Sequence, residues 1–467
     1  MTIEMFRSFC RSFFREASKG LGNSIPIRRF VAGITNTQYA MRARPPMTTI
    51  RRNRSATILT FVAAQMMAAG AQAVEVRLSG HMEAQVRWFQ SSPDISSAFG
   101  SENEQSKGAV VSIALEPEWK YLTKNRKHDF KFTPFIRYDA EDRDRTHVDI
   151  RELYWMYKGD QWEILAGVDQ VRWGVTESHH LVDIINQTDL VEDLDGEDKL
   201  GQPMIRLTLD LARVLQPKKA KKDWGKLTAF LMPGFRERTF PGTKGRLRGP
   251  LPIKTEDTEF LGGAGKDRVD LALRYSHTID KWDVGAYYFH GNSREPRLMR
   301  QGAYLIPQYE LINQVGTDIQ YTSGAWLGKF EGIVREGHGD IFGAFAAGVE
   351  YTYSQLYKTW DVGLLAEYLH DDRDQNLAPR TTFDNDIFLG TRLSLNDVQD
   401  TELLAGVITD VDSGAYSFNM EAKRRISNNI SAELIIRLFG AGDEELGDEM
   451  YSLRKDDYAQ LSVFYNF

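Results

Sequence analysis

Residues 74–88 read VEVRLSGHMEAQVRW. The even positions Val74, Val76, Leu78, Gly80, Met82, Ala84, Val86 and Trp88 are apolar or glycine, and every odd position between them is polar or charged. Fifteen residues without a break give a period of 2, which is the signature of a strand with one greasy face and not of a helix. The run is far longer than the five or six residues of an ordinary globular strand.

Similar segments recur along the chain. Strands are expected at about 74–90, 108–122, 129–139, 147–157, 161–172, 204–212, 226–235, 267–277, 281–290, 310–321, 325–335, 342–353, 359–370, 384–395, 401–410, 414–424, 430–439 and 457–467. The total is eighteen; sixteen is the alternative, because 204–212 and 226–235 are short and alternate weakly. Short polar turns such as KGD, TID and TSG follow strands 4, 8 and 10, whereas connections 173–203 and 236–266 have about thirty residues each. Short turns at one end and long loops at the other match the sidedness of outer-membrane barrels, with the periplasmic ends short. Trp88, Trp119, Tyr121, Trp162, Trp282, Trp326, Tyr353, Trp360 and Tyr465 fall near strand ends, where an interfacial aromatic girdle belongs.

The N-terminus sets the compartment. Within 47–73, Arg51, Arg52 and Arg54 precede an apolar run from Ala56 to Gly70 and an Ala71-Gln72-Ala73 cleavage pattern, as in a secretory signal. Residues 74–467 are then the mature chain, and 1–46 an upstream extension, with an organelle transit peptide as the other reading of its arginines. The only cysteine, Cys10, lies in the removed part, so the mature chain relies on no disulfide. Removing 1–73 takes away 11 basic and 2 acidic residues and leaves 47 against 63, a net charge of -16. That excess argues against a nucleic-acid partner. No later segment has the 18 apolar residues of a membrane helix. An exported chain that stays in a membrane must therefore be a barrel, the other fold that satisfies its backbone in lipid.

The end of the chain agrees. DYAQLSVFYNF, 457–467, alternates to the last residue, although unpaired termini fray. The expected fold is all-β, a transmembrane antiparallel β-barrel whose last strand closes on the first. Tyr465 and the terminal Phe467 resemble the C-terminal assembly signal of bacterial outer-membrane barrels. With ELYWMYKGDQWEILAGVDQVRWG (152–174), WDVGAYYFHG (282–291) and WDVGLLAEYLHDDRD (360–374), the mature chain resembles the porin-like barrels of Gram-negative outer membranes, a group that includes alginate-export-type barrels. The resemblance implies outer-membrane lipid, lipopolysaccharide and the barrel assembly machinery as partners. It implies neither a solute nor an oligomeric state.

In many porins the third external loop folds inward, and here that loop carries Glu177, Asp183, Asp189, Glu192, Asp193, Asp195, Glu197 and Asp198 against Lys199. Acids crowded at a narrow point attract cations; a solvated external loop, or one that binds divalent ions, is the alternative. DLDGED (193–198) lacks EF-hand spacing, so no metal site is assigned to it. Arg77, Arg87, Lys131, Arg137, Arg151, Arg274, Lys329 and Arg335 fall on polar strand faces that point into the lumen. They are expected either to oppose the acidic loop as a basic wall, which would set up a transverse field, or to form salt bridges with Glu83, Asp139 and Glu331. In loop 236–266, Arg236, Arg238, Lys244, Arg246, Arg248 and Lys254 are read as binding lipopolysaccharide, docking on the third loop, or neither. His179-His180 and His370-Asp371-Asp372 are read as solvated loop histidines.

G-x-S-x-G, H-E-x-x-H and a cysteine nucleophile are missing from the mature sequence, so no enzyme and no cofactor are expected. The expected function is passive diffusion of small hydrophilic solutes. The alternatives are an export pore for an acidic polysaccharide or other product, working with an envelope machine, and a barrel-anchored surface enzyme or adhesin.

Overall fold

The computed structural model describes residues 75–93, 105–215, 223–442 and 449–467. The expected extension 1–46, the signal 47–73 and Val74 lie outside the described residues. Alternation turns into strands β1 (Glu75–Phe89), β2 (Ala109–Leu122), β3 (His128–Asp139), β4 (His147–Lys158), β5 (Trp162–Asp169), β6 (Gln202–Asp210) and β7 (Lys226–Pro233). After the two-residue β8 (Glu259–Phe260) come β9 (Val269–Ile279), β10 (Trp282–Asn292), β11 (Arg297–Gln301), β12 (Tyr304–Tyr309), β13 (Leu311–Ser323) and β14 (Trp326–Glu336). The rest are β15 (Phe342–Tyr357), β16 (Trp360–Asp371), β17 (Asn385–Ser394), β18 (Glu402–Asp410), β19 (Tyr416–Arg425), β20 (Ile430–Gly440) and β21 (Tyr458–Asn466).

Eighteen of these form one antiparallel sheet. Each pairs with the next, and β21 pairs with β1 from His81 opposite Asn466 to Phe89 opposite Tyr458, so the sheet closes. β6 and β7 pair with each other and with their outer neighbours, which sets the count at eighteen and not sixteen. Closure leaves no edge, and this lets a sheet exist in lipid. The final residue takes part: Phe467 and Gly80 exchange two backbone hydrogen bonds of 3.1 Å. Gly80 is needed there, because at its φ of +149° a Cβ would lie 2.4 Å from the Glu116 carbonyl oxygen.

The distribution of polarity is inverted relative to a water-soluble protein. On β1 the exposed side chains are Val76, Leu78, Met82, Val86 and Trp88, while Glu83, Gln85 and Arg87 are buried. Ile113, Ile136, Val148, Val315, Val334, Leu389 and Leu461 extend the exposed apolar band around the barrel. A continuous apolar exterior of this size needs lipid against it. At the short-turn end the band is bordered by cross-strand aromatic pairs, including Trp119 with Phe132, Trp282 with Tyr321, Trp326 with Tyr351 and Tyr357 with Trp360.

The register shifts in the β3–β4 ladder and, between Tyr353 and Tyr357, in the β15–β16 ladder. Between β3 and β4, Thr133 faces Glu152 while Pro134 faces Ile150, so Arg151 is an extra residue in a bulge. A one-residue slip changes faces, and Arg151 and Glu152 both reach polar partners inside. In the long loops, where no strand is expected from the sequence, β11 and β12 form a hairpin beside β8, a second small sheet. The short-turn end has connections such as 159–161, 280–281 and 324–325, with 211–225 its one long connection. The other end carries 170–201 and 234–268.

Candidate functional site

The third long loop, 170–201, lies inside the barrel. Its sequence has an apolar half and an acidic half, and each finds a matching wall. Val182, Ile184 and Ile185, all buried, join lumenal side chains that include Leu165, Phe230, Tyr287, Phe289 and Ile333 in one cluster, with Leu181 packed against it. Trp173 enters the same cluster 4.9 Å from the Tyr287 ring. Burying several such side chains at about 1.5–3 kcal/mol each is enough to draw the loop into the lumen.

Carboxylates on the wall fix the turn that follows Trp173. Glu331 of β14, fully buried, accepts from the backbone N–H groups of Val175 (2.6 Å), Thr176 (2.9 Å) and Val182 (3.2 Å) and from the Thr176 hydroxyl (2.7 Å). Glu367 of β16 takes the N–H groups of Glu177 (2.8 Å) and Ser178 (2.9 Å) and the Ser178 hydroxyl (2.6 Å). Glu177 itself reaches Arg392 (2.7 Å) and Lys329 (3.3 Å). Asp183 folds back on its own loop, accepting from the N–H groups of Trp173 and Gly174.

The acidic half is tied to the opposite arc of the wall. Asp189 meets Arg151 at 2.7 Å and accepts from the Thr239 hydroxyl at 2.6 Å. Glu192 meets Arg137 at 2.7 Å, and Asp193 and Asp195 share Arg437, the latter at 2.8 Å. Glu197 pairs with His180 at 2.8 Å. Burial works against a charged His180, but the hydrogen bonds it donates to Glu197 and Glu331, with their charges, outweigh it and push the imidazole up to about 10. Asp198 has no such cation: burial, then the neighbouring Glu192, Asp195 and Asp193, pushes its carboxyl up to about 8.

The basic set occupies two arcs and not one wall. Arg87, Arg137 and Arg151 stand on β1, β3 and β4, while Arg274, Lys329 and Arg335 stand on β9 and β14. Each is already matched. Arg87 donates to Gln460, Lys131 bridges Glu118 and Glu152, and Arg137 also holds Glu83 at 2.8 Å. Arg274 grips Asp318 with two nitrogens, and Arg335 meets Glu295 at 3.0 Å. Arg77 is exposed near the short-turn end beside Glu75. Most of these cations therefore stand in lumenal ion pairs, Arg137 with Glu83 among them, while Arg87 is matched by the neutral Gln460.

Loop 236–266 folds toward the third loop and the strand ends. Arg238 reaches Gln187, and Arg236 reaches Asp149 of β4. Buried Arg246 pairs with Asp456 and donates to the carbonyls of Ser91 and Ser106. Arg248 donates to carbonyls of its own loop, and exposed Lys254 pairs with Asp257. The histidines also differ from expectation: His179 stacks on Phe383 at 4.5 Å, and His370 lies in strand β16, one residue before its end. Neither is a solvated loop histidine: His179 belongs to the inward loop, and His370 is held in the ladder opposite Phe345.

Sequence reading missed several residues that seat the loop: Glu367, Arg437, Arg392, and Arg145, which bonds to Asp139, Gln85 and the Val191 carbonyl. The signal that finds Arg437 is alternation along β20, where Ile435, Arg437 and Phe439 share the buried face.

What remains between the acidic half and the wall of β19–β21 and β1–β4 is a chamber of about 470 Å³. Ten carboxylates line it, Glu83, Glu116, Glu421, Glu433 and Asp198 among them, against five arginines or lysines. The apolar half of the loop packs against the wall on the other side of the lumen.

No protein-family model and no curated protein matches the chain. Solved structures similar to it include a mutant of the Rh. blastica porin (9% identity, 84% of this chain and 100% of that one, TM-score 0.39). The outer membrane channel DcaP of Acinetobacter baumannii is 10% identical over 85% of this chain and 98% of its own, with a TM-score of 0.43. Wzi of Escherichia coli, titled an outer membrane protein involved in group 1 capsule assembly and a carbohydrate-binding β-barrel, gives 9%, 91%, 89% and 0.45 in the same order. On its own strand pairing and its inverted polarity, the chain is a porin-like, membrane-embedded antiparallel β-barrel of eighteen strands.

Proposed function

We propose that the barrel resides in a bacterial outer membrane and provides a narrow passage for small hydrophilic solutes, with a preference for cations, and that loop 170–201 is its constriction. The observation that carries this reading is the chamber beside the loop, where carboxylates outnumber arginines and lysines two to one. Low-dielectric walls focus the field of that excess and concentrate cations. The same lining repels an acidic polysaccharide, and a loop tied to both arcs of the wall narrows the path for any large product.

The test is single-channel conductance of the refolded chain from Val74 onward, beside a variant lacking 177–199. The expected result is a small, cation-preferring conductance in the first and a larger, less selective one in the second. If neither conducts, the passage reading is wrong and the long loops become the functional surface.

A further inference from the structure

At the long-loop end of β17 and β18, Asp384, Asp386 and Asp410 each bring a carboxylate oxygen to within 4.8 Å of the others. Asp386 and Asp410 stand directly opposite each other in the ladder. Like charges so placed destabilise a sheet, and none of the ion pairs among the described residues involves the three. Gln375 donates to Asp384 Oδ2 at 3.0 Å, and the backbone N–H of Asp412 donates to Asp410 Oδ1 at 2.9 Å. Asp386 is the exception: only 3% exposed, it has an Oδ2 with no hydrogen-bond partner at all. A buried carboxylate oxygen left without a partner is costly, and here it belongs to a side chain grouped with two further carboxylates.

We propose that Asp384, Asp386 and Asp410 bind a hard divalent cation, calcium. Such an ion takes carboxylate oxygens at about 2.3–2.6 Å, so two ligands on opposite sides of it stand about 4.6–5.2 Å apart. A cluster whose oxygens all lie within 4.8 Å fits inside that sphere. The ion satisfies the orphaned Asp386 oxygen and turns cross-strand repulsion into a clamp between β17, β18 and the end of loop 372–384. Phe383, adjacent to the site, stacks on His179 of the inward loop. The clamp therefore supports that loop through the Phe383–His179 contact.

The experiment uses the mature chain refolded in detergent and stripped with EDTA, with calcium chloride titrated calorimetrically and thermal melts recorded in calcium and in EGTA. Asp386→Asn is expected to weaken the calcium affinity of this site at least tenfold and to remove the calcium-dependent rise in melting temperature. In EGTA the same variant is expected to melt above the wild type, because the substitution relieves the repulsion. Asp384→Asn, at a more exposed position, gives the same loss of affinity if Asp386→Asn refolds poorly. Calcium binding and stabilisation that persist unchanged in either variant, or a wild type that takes up no calcium, would overturn the proposal.

Discussion

Glu331→Gln is the sharpest test of how the inward loop is held. In the wild type one Glu331 oxygen accepts the N–H groups of Val175 and Thr176 and the Thr176 hydroxyl, and the other accepts the N–H of Val182. An amide oxygen in the first position keeps three of these bonds but makes them neutral, a loss of about 1 kcal/mol each. The amide NH₂ in the second position then faces the Val182 N–H, donor against donor, which costs about 1–3 kcal/mol more. His180 also loses one of its two carboxylates. Against this, burying an amide is cheaper than burying a carboxylate, and the net loss is about 3 kcal/mol. That is roughly a hundredfold shift in the balance between seated and released loop. The assay is single-channel recording. Glu331→Gln is expected to show frequent excursions to a higher, less selective conductance that the wild type seldom visits, with a lower melting temperature. An unchanged trace together with an unchanged melting temperature would refute the claim that this carboxylate seats the loop.

Deleting Phe467 removes the two backbone bonds to Gly80 and the last ring of the closing strand, so the level of assembled barrel in outer membranes should drop sharply; a normal level counts against the closure argument. His180 has its pKa raised from 6.5 to about 10, so its contribution to stability is complete below about 6.5 and disappears as the pH rises toward 10. Between pH 7 and 10 the melting temperature should therefore fall more steeply for the wild type than for His180→Gln, and parallel curves would contradict the pairing. Arg437→Met strips the shared cation from Asp193 and Asp195; it should lower stability by about 3 kcal/mol and raise cation preference, read as a shift in reversal potential. Glu116→Gln, at a chamber carboxylate outside the described ion pairs, should reduce cation preference with little change in melting temperature.

The barrel was legible because lipid on one side and water on the other impose a period of 2 that no loop imitates over fifteen residues. Even the weak segments 204–212 and 226–235 could be placed, and they became β6 and β7. Alternation assigns a face, and Arg87, Arg137 and Arg335, on polar strand faces in the sequence, are buried in the structure. It does not assign a partner. Glu331 lies more than 150 positions from the loop turn it holds, and Arg392 more than 200 from Glu177. A bulge is equally silent: nothing in HVDIRELYWMYK marks Arg151 as the residue that slips the register of β4. The apolar residues of 181–185 are interrupted by Asp183 and surrounded by acids, so composition marks the segment as an acidic loop and only the packing marks it as core.

That run explains why the acidic half matters. A loop with acids alone would have had no reason to leave water, since a surface ion pair contributes about 1 kcal/mol or less. Leu181, Val182, Ile184 and Ile185 supply the drive, and in doing so they choose the side of the lumen that fills. Filling the arc from β4 through β15 leaves the open space against β19–β21 and β1–β4, where the acidic half and the acidic wall face each other. Within that space the paired carboxylates, Glu192 on Arg137 and Asp193 on Arg437, hold the loop in place and contribute little net field. On the proposed cation-preferring passage, selectivity then rests on the carboxylates outside those pairs, Glu116 on the wall and Asp198 on the loop, with the share of Asp198 growing as the pH passes about 8. On that reading the loop divides its labour by side-chain chemistry: its aliphatic residues choose the side of the lumen that fills, its paired acids tie it to the wall, and its unpaired acid adds to the charge of the chamber.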